Sequence, residues 1–365
     1  MQLLPVGMMS IPKIPEVQQA IIQDDVGKPK LVNNSEIPKL SPGDILVKTS
    51  IVALNHSDYK MGVAFPSPGA IIGHEFVGMV VQIHEKTRTD IKINDMVCGL
   101  VHGSNPADHG NGAFAQYLRV PADLVLRVPE SFNIEDAAAI GTGVVTACVA
   151  LWESGLKLKV NPEVPANESF PVLVYGASTA TGTMVLQLLA LSGVRTIATC
   201  SPHNFGLVHS YGANTVFDYA NSETPANIKK NTNGELEHAL DIITDPDSIA
   251  CCYASISSFG GQYTSLELCP SALQTRRALQ SSFPMALEVF GKQLGLSGGY
   301  ERPACEKTRT EAMARLKMFQ RLLDDGKLRA HPVKALPPGF QSIIDGLKLL
   351  RSGNVSGEKL ILRID

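Results

Sequence analysis

Hydrophobic and polar positions change period once along the chain. Up to about residue 165, β-branched runs are short and separated by polar clusters. The runs Val17–Ile22, Ile45–Leu54, Ile71–Ile83, Met96–Leu100 and Phe114–Val120 predict strands. Ser41-Pro42-Gly43-Asp44 and Asn105-Pro106-Ala107-Asp108 predict the turns between them. This spacing suits a barrel rather than strand–helix alternation. From Asn133 small and apolar residues run through Ala137-Ala138-Ala139 to Val149-Ala150-Leu151 and predict helix. Asn161 to Ser169 is polar and contains proline, as a linker would.

After Phe170 strand and helix take turns. Val172–Tyr175, Thr196–Cys200, Thr215–Asp218, Ala239–Ile243 and Gly261–Leu266 predict strands, with Thr183–Ser192 and Phe205–Tyr211 helical between them. Such alternation builds parallel βαβ units and a doubly wound sheet. Lys307–Asp325 and Gly339–Arg351 predict helices, and Lys359–Ile364 a closing strand that resumes the first pattern. The reading is α/β with two domains: residues 1–165, completed by about 300–365, and residues 166–299.

Composition narrows the function classes. The 365 residues are 44% hydrophobic and 18% charged, which argues against disorder. A net charge of −3 offers no basic surplus for nucleic acid, and the single Trp152 offers little for stacking bases. The seven cysteines include no C-x-x-C, so reduced thiols in the cytoplasm are expected. Met1–Pro15 lacks a cationic start and an apolar centre, so no leader is expected there. No apolar run reads as long enough to span a bilayer, so no membrane role is expected.

The most informative stretch is Val172-Leu-Val-Tyr-Gly176-Ala-Ser178-Thr179-Ala180-Thr181-Gly182. It follows a predicted strand and opens a helix, the context of a dinucleotide-binding turn. Glycine lets the backbone reverse, and the helix start presents free N–H groups to a pyrophosphate. Ala180 stands where a middle glycine is usual, and the hydroxyls of Ser178, Thr179 and Thr181 are offered instead. About 20 residues on, an NAD site carries an acid for the ribose diol. Here Ser201-Pro202-His203-Asn204 has only neutral donors, which favours NADPH. Tyr219, after the third strand of this half, is expected beside the adenine.

Gly73-His74-Glu75-Phe76-Val77-Gly78 resembles the G-H-E-x-x-G signature of the medium-chain dehydrogenase/reductase superfamily, and the resemblance spans nearly the whole chain. It implies a GroES-like, β-barrel-type catalytic domain plus a doubly wound Rossmann nucleotide-binding domain. In the zinc enzymes of that superfamily an upstream Cys, this His and a Cys near the domain boundary hold catalytic zinc. Neither Val52–Gly62 nor Val160–Phe170 contains a cysteine, and no four-cysteine lobe lies between Gly99 and Gly112. No metal is expected, and His74 and Glu75 should instead be hydrogen-bonded groups that shape the cleft.

Asn55-x-Ser57-Asp58-x-Lys60-x-Gly62 is similar to the zinc-free branch, the quinone oxidoreductases and enoyl reductases. Ser178-Thr179-Ala180-Thr181, Cys200-Ser201-Pro202-His203-Asn204-Phe205, Val216-Phe217-Asp218-Tyr219 and Ser356-Gly357-Glu358-Lys359-Leu360 resemble fungal trans-acting enoyl reductases. Those proteins serve iterative polyketide synthases, including hybrids with peptide synthetases, whose own reductase domain is inactive. The helix after Asn204 departs from the pattern: it carries Val208-His209 where a lysine often stands.

The resemblance implies hydride delivery to Cβ of an unsaturated thioester held on the carrier protein of a partner synthase. Cofactor contacts are then expected from Ser57, Asp58, Leu266, Val355 and Ser356 as well as the residues above. Lys60 is the charged candidate, expected to be desolvated and to donate a proton or polarise the thioester; Thr146 and Tyr59 are further donors. Gly141, Thr142 and the apolar Phe283, Met285 and Val289 are expected at the substrate. The last three lie in the segment Ser281–Gly299, which pairs nucleotide domains in dimeric relatives, although a monomer is expected here. Arg276, Arg277 and Arg302 are candidates for steering an acidic carrier. Two other readings compete: reduction of free quinones or enones, and a non-catalytic NADPH-binding partner protein.

Overall fold

The computed structural model describes residues 14–364, so most of Met1–Pro15, where no leader was expected, lies outside the described residues. β1 (Val17–Gln23) and β2 (Pro29–Glu36) form an antiparallel ribbon. β3 (Asp44–Ala53) is the spine of the first body: its alternating apolar residues Ile45, Val47, Ile51 and Ala53 are fully buried. Helix α1 (His56–Ala64) follows at once. β4 (Glu75–Ile83) returns antiparallel to β3, with Ala53 opposite Glu75. β5 (Met96–Leu100), β6 (Tyr117–Pro121) and β7 (Val125–Arg127) complete this wall.

Two short helices, α2 (Ile134–Ala137) and α3 (Gly141–Cys148), lead into a wider π-turn at Val149–Glu153. By length and composition Ile134–Glu153 is apolar enough to cross a bilayer, which corrects the reading that no run reaches that length. Most of it is buried inside the protein, because Val144, Val145, Ala147 and Leu151 join one continuous core that reaches both sheets.

The second body is a six-stranded parallel sheet. β8 (Pro171–Tyr175), α4 (Ala180–Leu191), β9 (Arg195–Cys200), α5 (Phe205–Ser210), β10 (Thr215–Asp218), α6 (Thr224–Asn231), β11 (His238–Asp241), α7 (Pro246–Ser255), β12 (Gly261–Ser265) and β13 (Leu279–Ser282) follow in chain order. The strand order 10-9-8-11-12-13 is doubly wound, with the crossover at β8 and β11. The chain then forms α8 (Glu306–Asp324), β14 (Val333–Ala335), α9 (Phe340–Arg351) and β15 (Lys359–Arg363). β15 pairs with β3, so the tail re-enters the first sheet as its pattern predicts.

Three local readings are corrected. The segment after Leu54, for which the pattern predicts no helix, is helix α1, because Asp58 Oδ2 accepts the Asn55 N–H at 2.7 Å and closes its first turn. The strand expected from Ile71 begins only at Glu75. Gly73 has φ +99, and a Cβ there would come within 2.4 Å of the Phe114 ring, so the chain bends between an isolated bridge of Ile71 to Ile22 and the start of β4. α4 begins at Ala180 rather than Thr183, since Thr179 Oγ1 caps it by accepting the Gly182 N–H at 3.0 Å.

Candidate functional site

A cleft of about 560 Å³ runs between the two bodies, between the β8–α4 turn and the Val355–Leu360 segment. Gly176, at φ +81, reverses the chain after β8, and a Cβ on Gly182 would lie 2.5 Å from the Ala177 carbonyl oxygen. Both glycines of the fingerprint are therefore demanded by geometry. Ser178, Thr179, Ala180 and Thr181 all line the cleft. One expectation is adjusted: the Thr179 hydroxyl donates to Gly176 O at 2.9 Å and accepts from Gly182 N, so it serves the turn itself. The free N–H groups of the first turn of α4 are left to meet an anion.

Past β9 the neutral donors form one corner. Ser201 Oγ lies 3.0 Å from Tyr219 OH, and Tyr219 is 47% exposed, open to a stacking partner. Ser356 Oγ lies 3.1 Å from His203 Nε2 and accepts from Asn204 Nδ2 at 3.0 Å, which ties the returning tail to this corner. Ser57, Leu266, Val355 and Ser356 also line the cleft.

Beneath the cleft floor lies a polar cluster. Glu75, wholly buried at the start of β4, accepts the Thr142 N–H at 2.9 Å, the Asn55 side-chain amide at 3.1 Å and Lys359 Nζ at 2.9 Å. Lys359 also donates to Asn55 Oδ1 at 2.5 Å. Asp58, expected at the cofactor, is instead 1% exposed and turned inward, which corrects that assignment. Its Oδ2 accepts the Asn55 N–H at 2.7 Å, and its Oδ1 meets His74 Nδ1 at 2.6 Å. His74 and Glu75 are hydrogen-bonded, as expected, but neither lines the cleft itself.

A second pocket of about 220 Å³ adjoins the cleft, and its wall includes Thr146, Phe283, Met285, Leu287 and Tyr300. Ser57, Lys60, Thr142, Leu266 and Glu267 border both cavities. Thr142 Oγ1 is buried and makes no hydrogen bond among the described residues. Such an orphan hydroxyl costs about 1–3 kcal/mol, which a carbonyl or carboxamide placed there would recover.

Several expectations change here. Lys60 is not desolvated: its side chain is 53% exposed and pairs with Glu267 at 3.8 Å, because α1 turns it toward the opening. The buried lysine is Lys359. Tyr59 lines the cleft but not the second pocket. Gly141 packs on the Gly99 backbone, where a Cβ would come within 2.4 Å of the carbonyl oxygen, and Val289 is 2% exposed in the core. Neither borders either cavity. Arg276 spends its guanidinium on the Tyr253, Ile256 and Ser257 carbonyls at the end of α7. Arg302 binds Glu288 and the Phe283 carbonyl. Of the three arginines only Arg277 is exposed.

Lys359, Glu267, Tyr300 and His331 were missed as site residues. Lys359 stood in the Ser356–Leu360 motif but carried no periodic signal of burial. His331, which lines the cleft and lies 3.0 Å from Thr183 Oγ1, is pushed down to about 4 by burial, with Lys359 adding to the effect.

Residues 41–130 match the family described as alcohol dehydrogenase GroES-like domain. Over 99% of its length the chain is 43% identical to trans-enoyl reductase poxP of Penicillium oxalicum, covering 97% of that protein. The chain belongs to the trans-enoyl reductases. A second member, trans-enoyl reductase FSL5 of Gibberella zeae, is 43% identical over 96% of the chain and 98% of its own length. The fold of this trans-enoyl reductase is that of the medium-chain dehydrogenase/reductases. The solved structure of CurK enoyl reductase superposes with a TM-score of 0.72 at 16% identity, over 96% of this chain and all of that one.

Proposed function

We propose that this trans-enoyl reductase uses NADPH to reduce an α,β-unsaturated thioester on the carrier protein of a partner polyketide synthase. The observation that carries the reading is the junction at Thr142 and Lys60, where a dinucleotide-sized cleft opens onto a smaller apolar pocket. A nicotinamide cofactor supplies the hydride. The chain's own groups hold and polarise the acceptor. Thr142 and Thr146 offer hydroxyls to the thioester oxygen or the carboxamide. Lys60 brings a solvated positive charge to the cleft mouth, where charge develops on the enolate oxygen. Phe283 and Met285 give the acyl chain an apolar wall.

NADPH rather than NADH is supported by the segment Ser201-Pro202-His203-Asn204 after β9, which carries no acid for a ribose diol and, with Tyr219 and Ser356, gathers several donors for a 2′-phosphate. Of the arginines offered for steering, the exposed Arg277 is left to meet an acidic carrier. The seven unpaired cysteines suit a reducing cytoplasm. In this reading residues 1–165 with 300–365 hold the acyl group and residues 166–299 hold the nucleotide. The test is steady-state reduction of a carrier-bound enoyl thioester with each nicotinamide. NADPH should be preferred, and the carrier-bound substrate should outcompete the free thioester. Equal use of NADH, or a preference for free quinones, would contradict the reading.

A further inference from the structure

We propose that His74, oriented by Asp58, is the acid that protonates Cα of the reduced acyl chain; this rests on the enoyl-reductase reading above. His74 sits in the wall of the second pocket with a side chain only 4% exposed. Its Nδ1 meets Asp58 Oδ1 at 2.6 Å. Because a carboxylate accepts, Nδ1 carries the proton and Nε2 is the ring nitrogen left for the pocket; Nε2 makes no hydrogen bond among the described residues. Asp58 is in turn fixed by the Asn55 N–H at 2.7 Å, so the ring orientation is set from behind. A carboxylate behind an imidazole holds its tautomer and stabilises its charged form, which makes the far nitrogen a proton donor.

The surroundings favour this donor over the others. Lys60, one turn along α1, is drawn toward Glu267 and solvent. The Glu75 carboxylate points away, to Thr142 N, Asn55 and Lys359. His102, behind the pocket, is pushed down to about 3 by burial and stays neutral. Ser57 Oγ, which borders both cavities, lies 3.5 Å from Nδ1.

The step balances. Hydride arrival at Cβ converts the conjugated thioester to an enolate, with negative charge shared by Cα and oxygen. In the doubly protonated ring the Nε2–H bond then breaks, a Cα–H bond forms, the thioester carbonyl is restored and His74 is left neutral with its remaining proton on Nδ1. A solvent proton recharges it. A fixed acid beside the pocket delivers that proton to one face of Cα.

The experiment compares wild type with His74→Gln on an enoyl pantetheine thioester in heavy water. It reads NADPH binding, kcat, KM, the pH profile and the face of deuterium at Cα. The inference predicts unchanged NADPH binding and a kcat loss of about 10²–10⁴. It also predicts deuterium on both faces of Cα. If the Gln variant does not fold, His74→Asn, smaller but still a donor to Asp58, takes its place. A variant within a few-fold of wild type, still labelled on one face, overturns the inference and leaves the enoyl-reductase reading intact. Wild type that reduces no enoyl thioester overturns that reading first.

Discussion

Two lysines of the site have opposite work. Lys359 is buried against Glu75, and removing one partner of such a pair leaves an uncompensated charge, at a cost of about 3–5 kcal/mol. Lys60 is half-exposed and its pair with Glu267 contributes little to stability. Lys359→Met should therefore lower the unfolding midpoint in urea sharply, and Glu75→Gln in the same chain should recover part of the loss. Lys60→Met should leave the midpoint alone and slow thioester reduction by less than the about 10²–10³ that losing a desolvated donor costs. The reverse assignment of effects would contradict this division. The sequence named Lys60 because it stood in a motif beside a missing metal ligand. It could not show which lysine was buried, since that depends on β15 returning to pair with β3 across about three hundred residues.

At the scale of elements, strands and helices with clear periods were legible, and capped or strained turns were not. The parallel strands read as continuous apolar runs, and Gly176 with Gly182 marked the phosphate turn. Helix α1 was hidden because its apolar pattern is weak and its caps, Asn55 and Asp58, also belong to the site. The π-turn Val149–Glu153 carries a second device that no sequence pattern announced. Burial, with the neighbouring Glu311 carboxyl, pushes Glu153 up to about 7, against the pull of Arg315. An acid raised in the folded state favours folding while protonated. That contribution is complete below the ordinary carboxylate range and is lost as pH rises toward about 7. Glu153→Gln, a permanently neutral side chain, should flatten the pH dependence of stability over that window in thermal melts. An unchanged slope would show that Glu311 alone carries the proton.

At the scale of the molecule, the two sheets share one core through α3 and enclose a cleft whose floor comes from the first sheet and whose rim comes from the second and the returning tail. The order of periods along the chain was enough to foresee that arrangement, because strand–helix alternation and barrel spacing each admit few topologies. The side chains that meet at the junction were foreseen only in part: Thr142, Thr146, Phe283 and Met285 gather there, while Gly141, Val289 and Asp58 turn into the interior. The central claim is hydride transfer to the Cβ of an enoyl thioester. The most direct measurement supplies NADPH deuterated at both C4 positions with a carrier-bound enoyl thioester, and locates the label in the product by mass spectrometry and NMR. The account predicts one deuterium at Cβ and none at Cα. NADPH oxidised without deuterium reaching Cβ would contradict it.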